Sequence, residues 1–208
     1  STGKWFNQYN REVLPEVSHP TAAAELNYLI QSKVLTVKDA KSFNGDAAVS
    51  KGEAIRIMMN SLTYMYHGYP MDDSENAKQT FTNIDSKHTS YQAVERAVEL
   101  GVIAADKSTF DVDSPITKEE LSIWYIRALG LEEAAKQTKI YKNDFADSKK
   151  IKDEYTGYIV LADSLGLLKA EKNQFNPTKQ VTYAELAVST IRLGHEMSKK
   201  GRDYRYGY

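Results

Sequence analysis

The apolar residues of this chain recur at spacings of three and four, in pairs of segments joined by polar loops. Residues at these spacings share one face of a helix, so each segment is predicted to be an amphipathic helix. The first segments carry Leu26, Leu29, Ile30 and Val34; Tyr91, Val94, Ala97 and Val98; and Tyr155, Ile159 and Ala162. The second segments carry Ile55, Met58, Met59 and Leu62; Leu121, Trp124, Tyr125, Ala128 and Leu129; and Leu186, Val188, Ile191 and Leu193. An all-α fold is predicted.

Each second helix begins with the same motif, a Ser or Thr followed three positions later by Glu. The pairs are Ser50 with Glu53, Thr117 with Glu120, and Thr182 with Glu185. In such a capping box the hydroxyl accepts a hydrogen bond from the third helical N–H, and the Glu accepts one from the N–H of the capping residue. The boxes are 67 and 65 residues apart, which indicates an internal repeat. The box accounts for the three glutamates without any catalytic role.

Two further spacings agree with this repeat. Phe43, Phe110 and Phe175 each precede the capping residue by seven positions, and Gly101 and Gly166 each precede their Phe by nine. One helix pair buries too little apolar surface to be stable alone, whereas three pairs can share a core. The predicted divisions are a lead-in helix at 1–13, repeats at 14–67, 81–138 and 139–200, a linker at 68–80 and a tail at 201–208.

The composition narrows the functional classes. The 208 residues are 41% hydrophobic and 26% charged, as in ordinary soluble globular proteins. A net charge of -1 argues against a nucleic-acid partner, and no apolar run reaches the roughly 18 residues that a membrane span needs. The absence of cysteine excludes disulfides and thiolate sites. Because the first residue is Ser rather than Met, we expect a fragment of a longer protein.

No catalytic or metal-binding pattern is evident. His19, His67, His88 and His195 are scattered, lack zinc-ligand spacing, and are predicted to be surface residues. The adjacent Asp72 and Asp73 do not follow a calcium-loop pattern and are read as part of a solvated linker. We therefore expect neither enzymatic activity nor a cofactor.

The repeat resembles the S-layer homology (SLH) domain, a module of bacterial cell-surface proteins that usually occurs in threes. The second unit carries the match at residues 81–85, 93–94, 97–103, 110, 115–121 and 126–129, and the third at Phe145, Asp147, 166–168, 175–177, Thr182 and Glu185. The resemblance implies a pseudo-threefold trimer of helical units. It also implies grooves that hold an anionic secondary cell-wall polysaccharide, such as one bearing a pyruvate ketal. Such a module anchors a protein non-covalently to peptidoglycan-linked glycan on the surface of a Gram-positive cell.

The position where the family carries a ligand-binding arginine is occupied here by Lys51, Lys118 and Tyr183. These three residues are therefore the candidate ligand-binding residues. A lysine in the first turn slightly opposes the helix dipole, which favours a reason other than helix stability for its presence. The structural alternative is a solvated lysine, and for Tyr183 a side chain that covers the edge of the core. The free N–H groups and positive dipole end of each second helix are expected to assist in binding a carboxylate.

Other family positions also differ. The tryptophan that is usual at the start of the first helix is replaced by Thr21, Thr89 and Glu154 in the three units. In the second unit, Ala105 replaces the second glycine of the turn that follows the first helix. These differences support an alternative function, a diverged SLH-like scaffold for protein–protein or intramolecular contacts with weak or no glycan binding. That alternative predicts an apolar or tyrosine-rich surface patch.

Overall fold

A computed structural model describes residues 13–65 and 78–205, with side chains described as far as residue 199. Its helices are α1 (Ala23–Gln31), α2 (Lys51–Met65), α3 (Tyr91–Glu99), α4 (Lys118–Ala128), α5 (Glu132–Ala135), α6 (Asp153–Ser164) and α7 (Tyr183–Arg205). Two 3-10 turns lie at Thr138–Ile140 and Ser148–Lys150. Within the described ranges there is no strand longer than an isolated bridge, which confirms the all-α prediction. The predicted lead-in helix lies outside the described residues apart from residue 13, and so does most of the predicted linker.

The helices form three units that close into a ring. Unit 1 contains α1 and α2, unit 2 contains α3 and α4, and unit 3 contains α6 and α7. The second helix of each unit packs against the first helix of the next: α2 against α3, α4 against α6, and α7 against α1. Each pairing buries an apolar stripe that a single unit would leave exposed. This arrangement confirms the predicted pseudo-threefold trimer.

Three backbone hydrogen bonds join the units at the centre of the ring. The N–H of Val49 donates to the carbonyl of Val181 at 3.0 Å, and the N–H of Ile116 donates to that of Val49 at 3.0 Å. The N–H of Val181 closes the circle to the carbonyl of Ile116 at 2.9 Å. All three side chains are fully buried, so the β-branched residue before each capping box forms the centre of the shared core.

The phenylalanine of each loop packs on the core, and the repeated glycines follow the ends of the first helices, as the repeat predicts. Phe175 is fully buried, while Phe43 and Phe110 are partly buried against the same core. Gly101 and Gly166 follow the ends of α3 and α6 with φ of +76° and +74°, a conformation in which glycine carries no Cβ penalty. Gly130, at φ +72°, likewise follows α4 before the separate short helix α5.

Two helix boundaries differ from those predicted from the sequence. Helix α1 ends at Gln31, so Val34 lies in the following turn, although its side chain is buried as predicted. The intervening Lys33 has φ +61°, which is incompatible with a continuing right-handed helix. At the other end of the chain, α7 continues to Arg205, through the first part of the predicted tail.

Candidate functional site

The hydroxyl half of the capping box forms in all three units. The N–H of Glu53 donates to Ser50 Oγ at 3.1 Å, and the N–H of Glu185 donates to Thr182 Oγ1 at 3.1 Å. In unit 2 both halves form, because the N–H of Thr117 also donates to Glu120 Oε1 at 3.0 Å. The predicted helix starts are therefore correct to the residue.

The first two N–H groups of each second helix are occupied by a loop from a neighbouring unit. In α2, the N–H groups of Lys51 and Gly52 donate to the carbonyls of Ser114 and Val112, respectively. In α4, those of Lys118 and Glu119 donate to the carbonyls of Lys179 and Pro177, and in α7, those of Tyr183 and Ala184 donate to the carbonyls of Ala47 and Gly45. All six donor–acceptor distances are 2.9 to 3.1 Å. The third N–H is bound to the cap hydroxyl. The expectation that these helix starts offer free N–H groups to a carboxylate is therefore wrong, because ring closure satisfies those groups internally.

The three candidate residues lie at three separate junctions between units rather than in one site. Each is the first residue of its helix and lies close enough to the box glutamate of the next unit around the ring to feel its charge. Lys51 contacts Glu120, Lys118 is influenced by the charge of Glu185, and Tyr183 by the charge of Glu53. The box glutamates therefore have a second role, as part of each junction.

At the first junction Lys51 is neutralised by carboxylates of unit 2. Its Nζ lies 2.9 Å from Glu120 Oε2 and 3.7 Å from Asp111 Oδ2. Burial acts to raise the pKa of Glu120, but hydrogen bonds from Lys51 and Thr117 outweigh it and hold that pKa below its usual value. The hydroxyl and N–H of Ser114, more than the charge of Lys51, lower the pKa of Asp111. An external anion at Lys51 would compete with both acids.

At the second junction the side chain of Lys118 is buried, with the residue only 5% exposed. Its Nζ donates to the carbonyl of Lys169 at 2.7 Å and lies 4.3 Å above the centre of the Phe175 ring. Burial lowers the pKa of Lys118, and the nearby carboxylates of Glu171 and Glu185 act against that shift. The alternative of a solvated lysine is therefore wrong at this position.

At the third junction Tyr183 is half-buried against the loop phenylalanine of unit 1. Its ring meets that of Phe43 edge to face, with centroids 5.6 Å apart. Burial, followed by the charge of Glu53, raises the pKa of the Tyr183 hydroxyl. This placement is that of a side chain covering the edge of the core, and it supplies no positive charge.

A groove of about 420 Å³ opens at the second junction and is lined by all three units. Unit 1 contributes His19, Thr21, Ala22 and Asp46; unit 2 contributes Lys118; and unit 3 contributes Leu167, Leu168, Lys169, Glu171, Thr182, Ala184, Glu185, Val188, Ser189 and Arg192. Three cationic residues face three carboxylates in this lining. The groove therefore offers hydrogen-bond donors and acceptors of both charges, not a purely positive surface.

His19 forms one wall of this groove. Its side chain is 9% exposed, and Nε2 lies 2.8 Å from Asp46 Oδ1. Nδ1 accepts a hydrogen bond from the N–H of Ala22 at 3.0 Å, so the proton is on Nε2 and is donated to Asp46. The prediction that His19 is an ordinary surface histidine is therefore wrong. His67 lies outside the described residues.

Sequence reasoning identified Lys118 but missed most of the other polar groove residues. Asp46, Lys169 and Arg192 come from segments far apart in the chain, which only ring closure brings together. For Arg192 a clue was present, since Arg127 occupies the same position in unit 2, 65 residues earlier.

Two features are absent from the described part of the chain. Its helices include none that is long and apolar enough to cross a membrane. The same residues contain no group of three or more His, Cys, Asp or Glu side chains placed to hold a metal ion.

Comparison with known proteins gives a consistent result. The family model of the S-layer homology domain matches residues 17–55, 80–122 and 144–187, one match in each unit. The middle cell wall protein of Brevibacillus brevis is 34% identical over 113 residues, which are 53% of this chain and 10% of that protein. The surface layer protein of Brevibacillus choshinensis is 32% identical over 113 residues, again 53% and 10%. A cell surface protein of Thermoanaerobacter kivui is 29% identical over 134 residues, which are 64% and 17%.

The chain thus spans about a tenth of the length of the first two relatives. The three matched segments together cover more than half of the chain, and they coincide with the three helical units of the ring. The repeated capping boxes and the ring closure agree with the same assignment. This chain belongs to the S-layer homology domain family.

Proposed function

We propose that this chain is a non-covalent anchoring module that binds an anionic secondary cell-wall polysaccharide in the groove containing Lys118. The polysaccharide would be linked to peptidoglycan, and its acidic group would be of the pyruvate-ketal type. Family membership and relatives named as surface-layer and cell-wall proteins place the chain at the cell surface. We propose binding rather than catalysis as its role, with any enzymatic activity located in other parts of a longer protein.

The observation that carries this proposal is the open groove at the Lys118 junction. The other two junctions are less suited to an anion. Lys51 already has two carboxylate partners, and Tyr183 has no charge. A ligand at Lys51 would have to displace Glu120 from a hydrogen-bonded ion pair that the fold itself uses.

The lining of the Lys118 groove suits a glycan with one acidic group and many hydroxyls. Sugar hydroxyls both donate and accept, so exposed Asp46 and Glu171 can accept from them while Lys169 and Arg192 donate. The contacts of Lys118 with the Lys169 carbonyl and the Phe175 ring fix its position before any ligand arrives. A side chain already held in place loses little conformational entropy on binding.

The test is co-sedimentation with peptidoglycan sacculi, before and after acid removal of the secondary polysaccharide. The proposal predicts binding to untreated sacculi and loss of binding after removal. It also predicts that Lys118→Met weakens binding roughly tenfold, while the matched change Lys51→Met leaves it nearly unchanged. Equal binding to both preparations, or no binding to either, would refute the proposal.

A second candidate function rests on an exposed tyrosine pair. The rings of Tyr28 and Tyr64 meet edge to face with centroids 5.9 Å apart, and the residues are 41% and 55% exposed. They line a separate groove with Met65, Ile191 and His195. This is the tyrosine patch that the scaffold alternative predicts, and tyrosine is enriched at protein interfaces. Under that alternative Tyr28→Ser with Tyr64→Ser would abolish partner binding, and removal of polysaccharide from sacculi would have no effect.

A further inference from the structure

Arg192 lines the Lys118 groove together with Glu185. It follows Glu185 by seven residues on α7, so the two share a helix face about 10 Å apart. The side chain is exposed, and its Nη1 donates to the carbonyl of Gly166 at 3.2 Å. This is the one hydrogen bond of the guanidinium found among the described residues, and it uses only one of the five guanidinium N–H donors.

Arg127 occupies the same repeat position in unit 2 but is neutralised. Its Nη1 donates to the carbonyl of Val102 at 3.2 Å, and its Nε forms an ion pair with Glu132. Glu132 in addition accepts a hydrogen bond from the hydroxyl of Tyr158 at 2.8 Å. In unit 3 the residue at the position of Glu132 is Met197, 65 residues later. Among the described side chains, no carboxylate lies within 4.0 Å of Arg192.

Lys118, by contrast, already has its contacts within the fold. One of its three N–H donors is bound by the Lys169 carbonyl, and its ammonium rests on the Phe175 ring. The charges of Glu171 and Glu185 act on the same ammonium. A carboxylate ligand would therefore gain less at Lys118 than at Arg192, whose guanidinium has no acidic partner among the described side chains.

We propose that Arg192, and not the lysine at the helix start, binds the acidic group of the glycan. The inference rests on the proposed function and assigns a second role within the same groove: Lys118 positions the groove lining and contacts neutral parts of the sugar chain. A guanidinium can hold a carboxylate through two parallel N–H···O bonds, which an ammonium cannot do. The ligand is thus a glycan segment whose carboxylate lies at Arg192, about two turns of α7 beyond Glu185.

The experiment measures binding of the intact chain to solubilised wall polysaccharide, and to the same polysaccharide with its carboxyl groups reduced to alcohols. Three variants are compared: Arg192→Gln, Arg192→Lys and the control Lys199→Gln. Lys199 is exposed on the same helix and undergoes the same change of charge. Circular dichroism of each variant verifies that the helices are retained.

The proposal predicts that Arg192→Gln weakens binding to the native polysaccharide roughly tenfold or more, Arg192→Lys by less, and Lys199→Gln not at all. On the carboxyl-reduced polysaccharide, Arg192→Gln and the wild type should bind equally. If the wild type binds the native polysaccharide and Arg192→Gln binds it as tightly, the inference is wrong while the proposed function stands. An equal loss on both polysaccharides would assign Arg192 a structural role instead. No binding by the wild type would refute the proposed function and the inference with it.

Discussion

The ammonium of Lys51 lies 2.9 Å from the carboxylate of Glu120, which is the capping glutamate of the neighbouring unit. Glu120 thereby closes its own helix cap and pairs with the first residue of α2 at the same time. A residue that the repeat assigns to local helix capping is thus also an inter-unit contact. Lys51, at a position for which the resemblance implies ligand binding, thus has a contact that joins two units of the ring.

Replacing Glu120 should therefore cost more stability than a simple helix cap would. We expect Glu120→Ala to lower the free energy of unfolding by about 1–2 kcal/mol, because both a cap hydrogen bond and an ion pair are lost. Lys51→Met removes only the ion pair and should cost less than about 1 kcal/mol. Urea unfolding followed by circular dichroism measures both values. Equal losses of unfolding free energy in the two variants would show that the helix-cap hydrogen bond of Glu120 contributes nothing to stability.

The acid sensitivity of the fold should depend in part on Asp147. This buried carboxylate accepts from the N–H groups of Phe175 and Asn176 at 2.9 and 2.8 Å. Burial acts to raise its pKa, but these bonds outweigh burial and hold the pKa of Asp147 below its usual value. A lowered folded-state pKa gives stability that is present above the unfolded-state pKa and is lost as the pH falls through the folded value.

The corresponding test compares wild type with Asp147→Asn. The variant should be less stable near pH 6, and the difference should shrink as the pH falls below about 4. Urea unfolding at several pH values provides the measurement. A difference that stays constant down to about pH 3 would contradict the assigned role of the ionised carboxylate.

Gly157 in α6 packs against the last residue of α5. A Cβ at this position would overlap the carbonyl oxygen of Ala135. We expect Gly157→Ala to destabilise the fold by about 3 kcal/mol or more, since helix α5 would have to move. Gly101 is the control, because a Cβ there meets nothing within 4 Å and only the positive φ is strained. Gly101→Ala should cost about 1–2 kcal/mol. Thermal unfolding that ranks the two variants in the opposite order would disprove the packing argument.

The sequence predicted the parts of the fold that depend on local chemistry. Ser50, Thr117 and Thr182 correctly predicted the three helix starts, because a capping box depends only on residues within a stretch of four. The periodicity likewise identified the buried faces. It placed Val34 on the α1 helix, however, because apolar spacing does not reveal a residue such as Lys33 that leaves the helical region.

The site was less accessible to sequence reasoning because it depends on ring closure. Lys51 and Lys118 occupy the same repeat position, yet one has a carboxylate partner and the other a backbone carbonyl and an aromatic ring. Their partners come from neighbouring units, and no local pattern specifies them. For the same reason the N–H groups at the helix starts were expected to be free, although neighbouring loops occupy them.

The central claim is that an acidic wall glycan occupies the groove at Lys118 and not the junction at Lys51. A crystal structure of this chain soaked with oligosaccharide fragments of secondary wall polysaccharide tests it most directly. We predict ligand density between Lys118 and Arg192, with Lys51 still paired to Glu120. Density at Lys51 with Glu120 displaced, and none in the Lys118 groove, would contradict the account.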